Sequence, residues 1–199
     1  MVDLSSTLTS IFLLLGTASF MIVVAFTFSS FSFSKFAVTQ KGFLTKAVIG
    51  ALLGVLAIYG TLMGTKMADG TIVNVRELAV MIAGVTGGPF AGLLAGLIGG
   101  IHRYTVGGAT ALPCTISTIL IGVISGAIGT KLLGKMYLLK GAALGLVLES
   151  VAMGLILLLV QPLDKAVNIV SQIAVPMIAA NTIGLVLWIY LFKRWNVLH

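Results

Sequence analysis

Charge is scarce in this chain. Its 199 residues include twelve basic and five acidic side chains, so that 9% are charged against 59% hydrophobic, and the mean hydropathy is +1.17. So few charged groups cannot cover a water-soluble surface, and the expected surroundings are lipid. Cysteine is scarcer still: Cys114 alone excludes an internal disulfide and any multi-cysteine metal site. The two histidines, His102 and His199, are far apart and show no HExxH spacing, so no metal site is expected. There is no G-x-x-x-x-G-K-[ST] loop and no polar stretch long enough for a soluble domain; no enzymatic activity and no cofactor are expected. The formal net charge of +7 does not point to nucleic acid, because no basic run is interleaved with aromatics.

What is present is a series of apolar segments at about 8–33, 47–64, 77–101, 112–130, 141–161 and 171–192, joined by short polar loops. A helix needs about 20 apolar residues to cross the hydrocarbon core. Residues 4–34 contain no charged side chain at all. Only Asp3 precedes that run, without the basic start of a cleaved signal, so it is read as a retained helix. The expected fold class is all-α, a polytopic transmembrane helical bundle forming a single membrane domain over 1–199. The 24 glycines often recur four apart, as at Gly92, Gly96 and Gly100 or Gly122 and Gly126, a spacing that lets helices pack closely in lipid.

Lysines and arginine cluster after the first segment (Lys35, Lys41, Lys46), after the fourth (Lys131, Lys135, Lys140) and at the end (Lys193, Arg194). The positive-inside rule assigns all three clusters, and with them the C-terminus, to the cytoplasm. If every segment crossed once, the first two clusters would face opposite sides, so one segment must cross an even number of times. The segment 77–101 contains "VTGGPFAG", and a proline lacks the amide donor that a continuing helix requires. A broken-helix hairpin at Gly87-Gly88-Pro89 is therefore expected, with arms of about 78–86 and 90–101. The remaining bases, Lys66, Arg76, Arg103 and Lys165, then fall on the outer side.

This reversal brings Arg76, where the hairpin begins, to Arg103, where it ends. Two neighbouring guanidinium groups repel unless an anion joins them, and their planar donor forks match a carboxylate. Glu77 or lipid headgroups offer the structural alternatives. After the turn "VGGAT", Pro113 suits the start of a new helix, with Cys114 and Ser117 on one face of its first turn. Helix N-termini attract anions. Cys114 is otherwise a small buried hydrophobe, and Ser117 a hydroxyl bonded back to its own helix. Deeper in lipid, Glu149 and Asn181 are expected to join helices. Pro176 is expected to bend the last segment, making it a natural transmitter toward Lys193 and Arg194.

The stretch "NVRELAVMIAGVTGGPFAGLLAGLIGGIHRYTVGGATALPCTISTILIGVISGAIG", continued by "LESVAMGLILLLVQPLDKAVNIVSQIAVPMIAANTIGLVLWI", closely resembles the membrane module of LytS-type bacterial sensors, the five-transmembrane receptor family. The likeness covers about 47–192 and leaves the helix at about 8–33 as an addition. The resemblance implies a sensor in the bacterial cytoplasmic (inner) membrane, without catalysis of its own. It would bind a small carboxylate, pyruvate or a similar 2-oxo acid, from outside, and signal to a cytoplasmic histidine kinase-type output domain. In that family the N-x-R, H-R and C-x-x-S elements fall on Asn74 and Arg76, His102 and Arg103, and Cys114 and Ser117. Pro113, in "ALPC", stands where the family usually has a small apolar residue. LytS-type kinases work as dimers, which implies a homodimer. The segment ends after "FKRWNVLH", where an output domain begins in full receptors, so an isolated module or a stand-alone relative is expected. The hairpin is also similar to substrate-binding components of energy-coupling-factor importers, with Ala47 and Ala51 as a docking face. A purely structural subunit would leave the arginine pair idle.

Overall fold

The computed structural model describes residues 4–30, 42–67, 70–132 and 135–198. Lys35, Lys41 and the end of the first apolar segment lie outside the described residues. Six helices account for nearly all of the rest: α1 (Leu4–Ser30), α2 (Phe43–Leu62), α3 (Arg76–Val106), α4 (Ala111–Leu132), α5 (Tyr137–Leu159) and α6 (Leu163–Leu198). Between α2 and α3 lies a small antiparallel pair, β1 (Thr65–Lys66) and β2 (Ile72–Val73), with Thr65 opposite Val73 and Lys66 opposite Ile72. Five of the helices, α2 to α6, contain stretches long and apolar enough to cross a membrane. In α1 the apolar stretch is Ile11–Thr27. In lipid each backbone amide must be satisfied within its own segment, which is why an apolar chain of this composition is helical almost throughout. The protein is an all-α polytopic bundle.

Within α3 the helical geometry is interrupted at Gly88 (φ 80, ψ −174), immediately before Pro89. A backbone with that φ and ψ is open in practice only to glycine, and proline cannot donate to the preceding turn. The two arms lie side by side. A methyl on Gly92 would stand 3.0 Å from the Gly84 Cα, and one on Gly99 would stand 3.5 Å from the Arg76 Cδ. Along a straight helix positions 76 and 99 would be ~34 Å apart. The tip of the turn meets the start of α2, where the Phe43 and Phe90 rings are 4.6 Å apart.

Glycine decides how the arms seat on α4. Gly92 and Gly122 meet backbone to backbone, as do Gly126 and Pro89, so that a side chain at Gly92, Gly122 or Gly126 would collide with the opposing main chain. Such close approach maximises van der Waals contact where no hydrophobic force drives helices together. On the other flank α2 lies against the second arm, with Gly50 at Ala91 and Leu94 and Gly54 at Ile98. Behind the hairpin, α5 and α6 pack with Gly145 against Thr182 and Gly141 against Ile189. Leu78, Met81, Ile82, Leu148, Ile156 and Trp188 are among the largest fully buried side chains. The helix α6 continues through Pro176.

Candidate functional site

At the end of the bundle opposite the Gly88 turn, the chain enters α3 through a tight turn built by Asn74. Its side-chain Oδ1 accepts from the Arg76 amide at 3.0 Å, and its Nδ2 donates to the Ile72 carbonyl at 3.0 Å. Asn181 of α6 grips the same turn: its Oδ1 accepts from the Leu78 amide (3.1 Å) and its Nδ2 donates to the carbonyls of Asn74 (3.4 Å) and Met177 (3.1 Å). These bonds satisfy helix-start amides that would otherwise be left unmet in lipid. Asn181 thus joins helices, and Asn74 holds the turn from which Arg76 projects.

Arg76 is fully buried. Its Nε donates to the Thr118 Oγ1 at 2.8 Å and its Nη2 to the Glu77 Oε1 at 2.5 Å. Its Nη1 and the Glu77 Oε2 meet no partner. Glu77 lies in the first turn of α3, where the helix dipole favours an anion. Arg103, near the end of the second arm, is equally buried. Its Nη1 donates to the Gly107 carbonyl (2.5 Å) and its Nη2 to the Thr110 Oγ1 (2.9 Å), while its Nε has no partner. Both guanidinium groups lie near Cys114 without a hydrogen bond to its sulfur. The structure therefore gathers Arg76, Arg103 and Cys114 at one place.

Ser117 is buried one turn along α4, but its hydroxyl proton goes back to the Cys114 carbonyl at 3.0 Å. His102 lies half-buried on the flank, its Nδ1 without a partner, and no hydrogen bond ties its ring to the arginines. Two contributors escaped the sequence reading. Thr118 accepts from Arg76 and donates to the Cys114 carbonyl at 2.7 Å, with the Glu77 Oε1 3.3 Å away, and Thr110 receives Arg103. Their only signal is position: Thr118 follows Cys114 by one turn, and Thr110 ends the glycine-rich loop. Just before β2, Gly70 (φ 79) lies against Gly108 (φ 92) so tightly that a side chain at Gly108 would strike the Gly70 carbonyl.

The electrostatic balance is uneven. Among the described residues the one ion pair is Arg76 with Glu77; the acceptors of Arg103 are a carbonyl and a hydroxyl. A buried cation without a counter-charge is destabilising by several kcal/mol, on the order of what a paired anion restores. Two unmet N–H groups and a guanidinium without an ion-pair partner, shielded from lipid, make a receptacle for a small anion.

The family described as 5TMR of 5TMR-LYT matches residues 28–194. Among curated proteins, the sensor histidine kinase BtsS of Escherichia coli (strain K12) is 38% identical over 151 residues, covering 72% of this chain and 27% of the relative. The sensor histidine kinase YpdA of the same strain is 37% identical over 135 residues, 67% of this chain and 24% of the relative. The sensor protein LytS of Bacillus anthracis is 37% identical over 163 residues, 73% of this chain and 27% of the relative. The chain thus spans about a quarter of the length of these relatives. No solved structure matches.

Proposed function

Because the chain belongs to the LytS-type five-transmembrane sensor family, we propose that it receives a small carboxylate, pyruvate or a similar 2-oxo acid, between Arg76 and Arg103. The single observation that carries this reading is the pair of buried guanidinium groups turned on Cys114 with Arg76 Nη1 and Arg103 Nε unmet. A carboxylate has two oxygens and one negative charge, which suits two unmet donors and the guanidinium of Arg103, which has no ion-pair partner. Cys114 contributes a soft, polarisable wall. Asn74 acts through the turn that aims Arg76. Ser117, whose hydroxyl proton is held by the Cys114 carbonyl, donates to the carboxylate only by releasing that bond, and His102 flanks the rim.

The ligand enters from the non-cytoplasmic side, the face away from Lys46 and Lys131. Binding shifts the packing of the hairpin against α6, whose far end carries Lys193 and Arg194 toward a cytoplasmic kinase-type output in a homodimeric receptor. Such a shift requires the ligand to prefer one of two packings; tight binding to both would move nothing. The domain as a unit is this sensor module, with α1 in addition to the family core. It catalyses no reaction itself.

The test is isothermal calorimetry of pyruvate on purified protein in detergent. Arg76→Ala and Arg103→Ala each remove one partner and strand the other charge, with a loss of about 3 kcal/mol or more, ~100-fold in affinity. Cys114→Ala weakens binding by less. Unchanged pyruvate affinity in either arginine variant would refute the site.

A further inference from the structure

One buried acid has no role in the site as described. Glu149 of α5 is 0% exposed, and neither carboxyl oxygen meets a donor. Its height in the bundle follows from the register of α5 on α6. Gly141 faces Ile189 and Gly145 faces Thr182, so the next turn of α5 brings Glu149 level with the turn from Met177 to Asn181. Asn181 is the residue that holds the Leu78 amide and the Asn74 carbonyl, the start of the helix that carries Arg76 and Glu77. The Glu149 carboxyl interacts electrostatically with both of those side chains. They are the charged groups of α3 that act on it; at this level α6 offers the uncharged Asn181 and Thr182. Cys114 of α4 is the further titratable group turned toward the arginines.

Charge counting gives this acid a consequence. With Glu149 ionised, Arg76 and Arg103 are balanced by Glu77 and Glu149, and an incoming monoanion would leave the buried cluster negative. With Glu149 neutral, the cluster carries one surplus positive charge, which a single monocarboxylate cancels. An unpartnered carboxylate among apolar helices is also costly in itself, and a proton relieves that cost.

We propose that Glu149 is a proton site linked to the anion site, so that a carboxylate and one proton are taken up together. The proton comes from solvent and rests on a Glu149 oxygen, while the carboxylate rests between the two guanidinium groups; no other bond forms or breaks. The inference rests on the carboxylate reading of the Arg76–Arg103 site. Glu149 is a positioning residue for charge and does not touch the ligand.

The experiment measures pyruvate affinity calorimetrically between about pH 6 and pH 9, where a linkage of one proton changes affinity by at most ~tenfold per pH unit. The wild-type protein binds progressively more weakly as pH rises, and Glu149→Gln binds with an affinity that does not change with pH. Cys114→Ala keeps the wild-type slope, which separates the thiol from the carboxyl. A flat wild-type profile, or an equal slope in Glu149→Gln, overturns the proposal. Should Glu149→Gln fail to fold, proton uptake by the wild-type protein is counted from binding heats in buffers of different ionisation enthalpy, and zero uptake at every pH overturns it equally. Pyruvate binding without proton uptake rejects the linkage and leaves the carboxylate site standing; no small-carboxylate binding at any pH rejects both.

Discussion

The Thr118 hydroxyl stands between Arg76 and α4, accepting from the guanidinium Nε. Thr118→Val keeps the shape and removes that acceptor, leaving a buried charged donor unmet. The expected loss is about 1–3 kcal/mol, read as a roughly five- to 150-fold weaker pyruvate affinity by calorimetry with the fold intact. No effect on affinity would place Thr118 outside the site. At this scale the sequence was informative where residues are rare. Arg76 and Arg103 stand out because few charged side chains interrupt an apolar run, and Cys114 because it has no companion. Threonines at 110 and 118 are ordinary in membrane helices, where the hydroxyl usually bonds its own backbone. Their reach toward the arginines depends on how α3 and α4 are set against each other, which no local pattern reveals. Ser117 shows the opposite case, a hydroxyl that does turn back to its own helix.

Among the elements, α3 depends most on single positions. Gly88→Ala forces a Cβ onto a backbone at φ 80, ψ −174, a strain of about 1–3 kcal/mol. Gly122→Val is more severe, because its side chain would drive into the Gly92 carbonyl. Thermal unfolding in detergent is expected to show a lowered midpoint for Gly88→Ala and loss of folded protein for Gly122→Val. Gly154→Ala, on a part of α5 where a methyl meets nothing within 4 Å, serves as the control with a midpoint unchanged or slightly raised. The glycine spacing and the Gly-Gly-Pro run were legible because backbone chemistry is written in the residues themselves. Helix ends were less so. The last apolar segment starts at about residue 171, whereas α6 begins at Leu163 and includes Asp164, Lys165 and Asn168. Hydropathy reports where a helix lies in lipid, whereas hydrogen bonding continues past that boundary. The two-residue strands β1 and β2 are too short to leave any periodic trace.

For the whole molecule, the placement of Lys46 near the Gly88 turn and of Lys66 near Arg76 puts them at opposite ends of the bundle. In a Cys114→Ser background, a cysteine at 66 is expected to react with an impermeant thiol reagent added outside intact cells, and one at 46 only after permeabilisation. Equal labelling from one side would contradict the proposed orientation. Signal transfer has its own test. Spin labels at 46 and 194 are expected to change separation when pyruvate is added to the wild-type protein, and to hold it in Asn181→Leu even where calorimetry shows that pyruvate still binds. Unchanged separation in the wild-type protein would remove α6 as transmitter.

The contact of main chain on main chain at Gly92 and Gly122 limits where any motion can occur. Where main chain meets main chain at these glycines no clearance is left for a shift, so the hairpin and α4 are expected to move as one stiff plate. Compliance is left to the joint with α6, where the Asn181 amide clasps the plate and Leu78 rests against Gly184. A receptor built in this way would be tuned for sensitivity by the strength of that clasp, independently of how firmly its ligand is held.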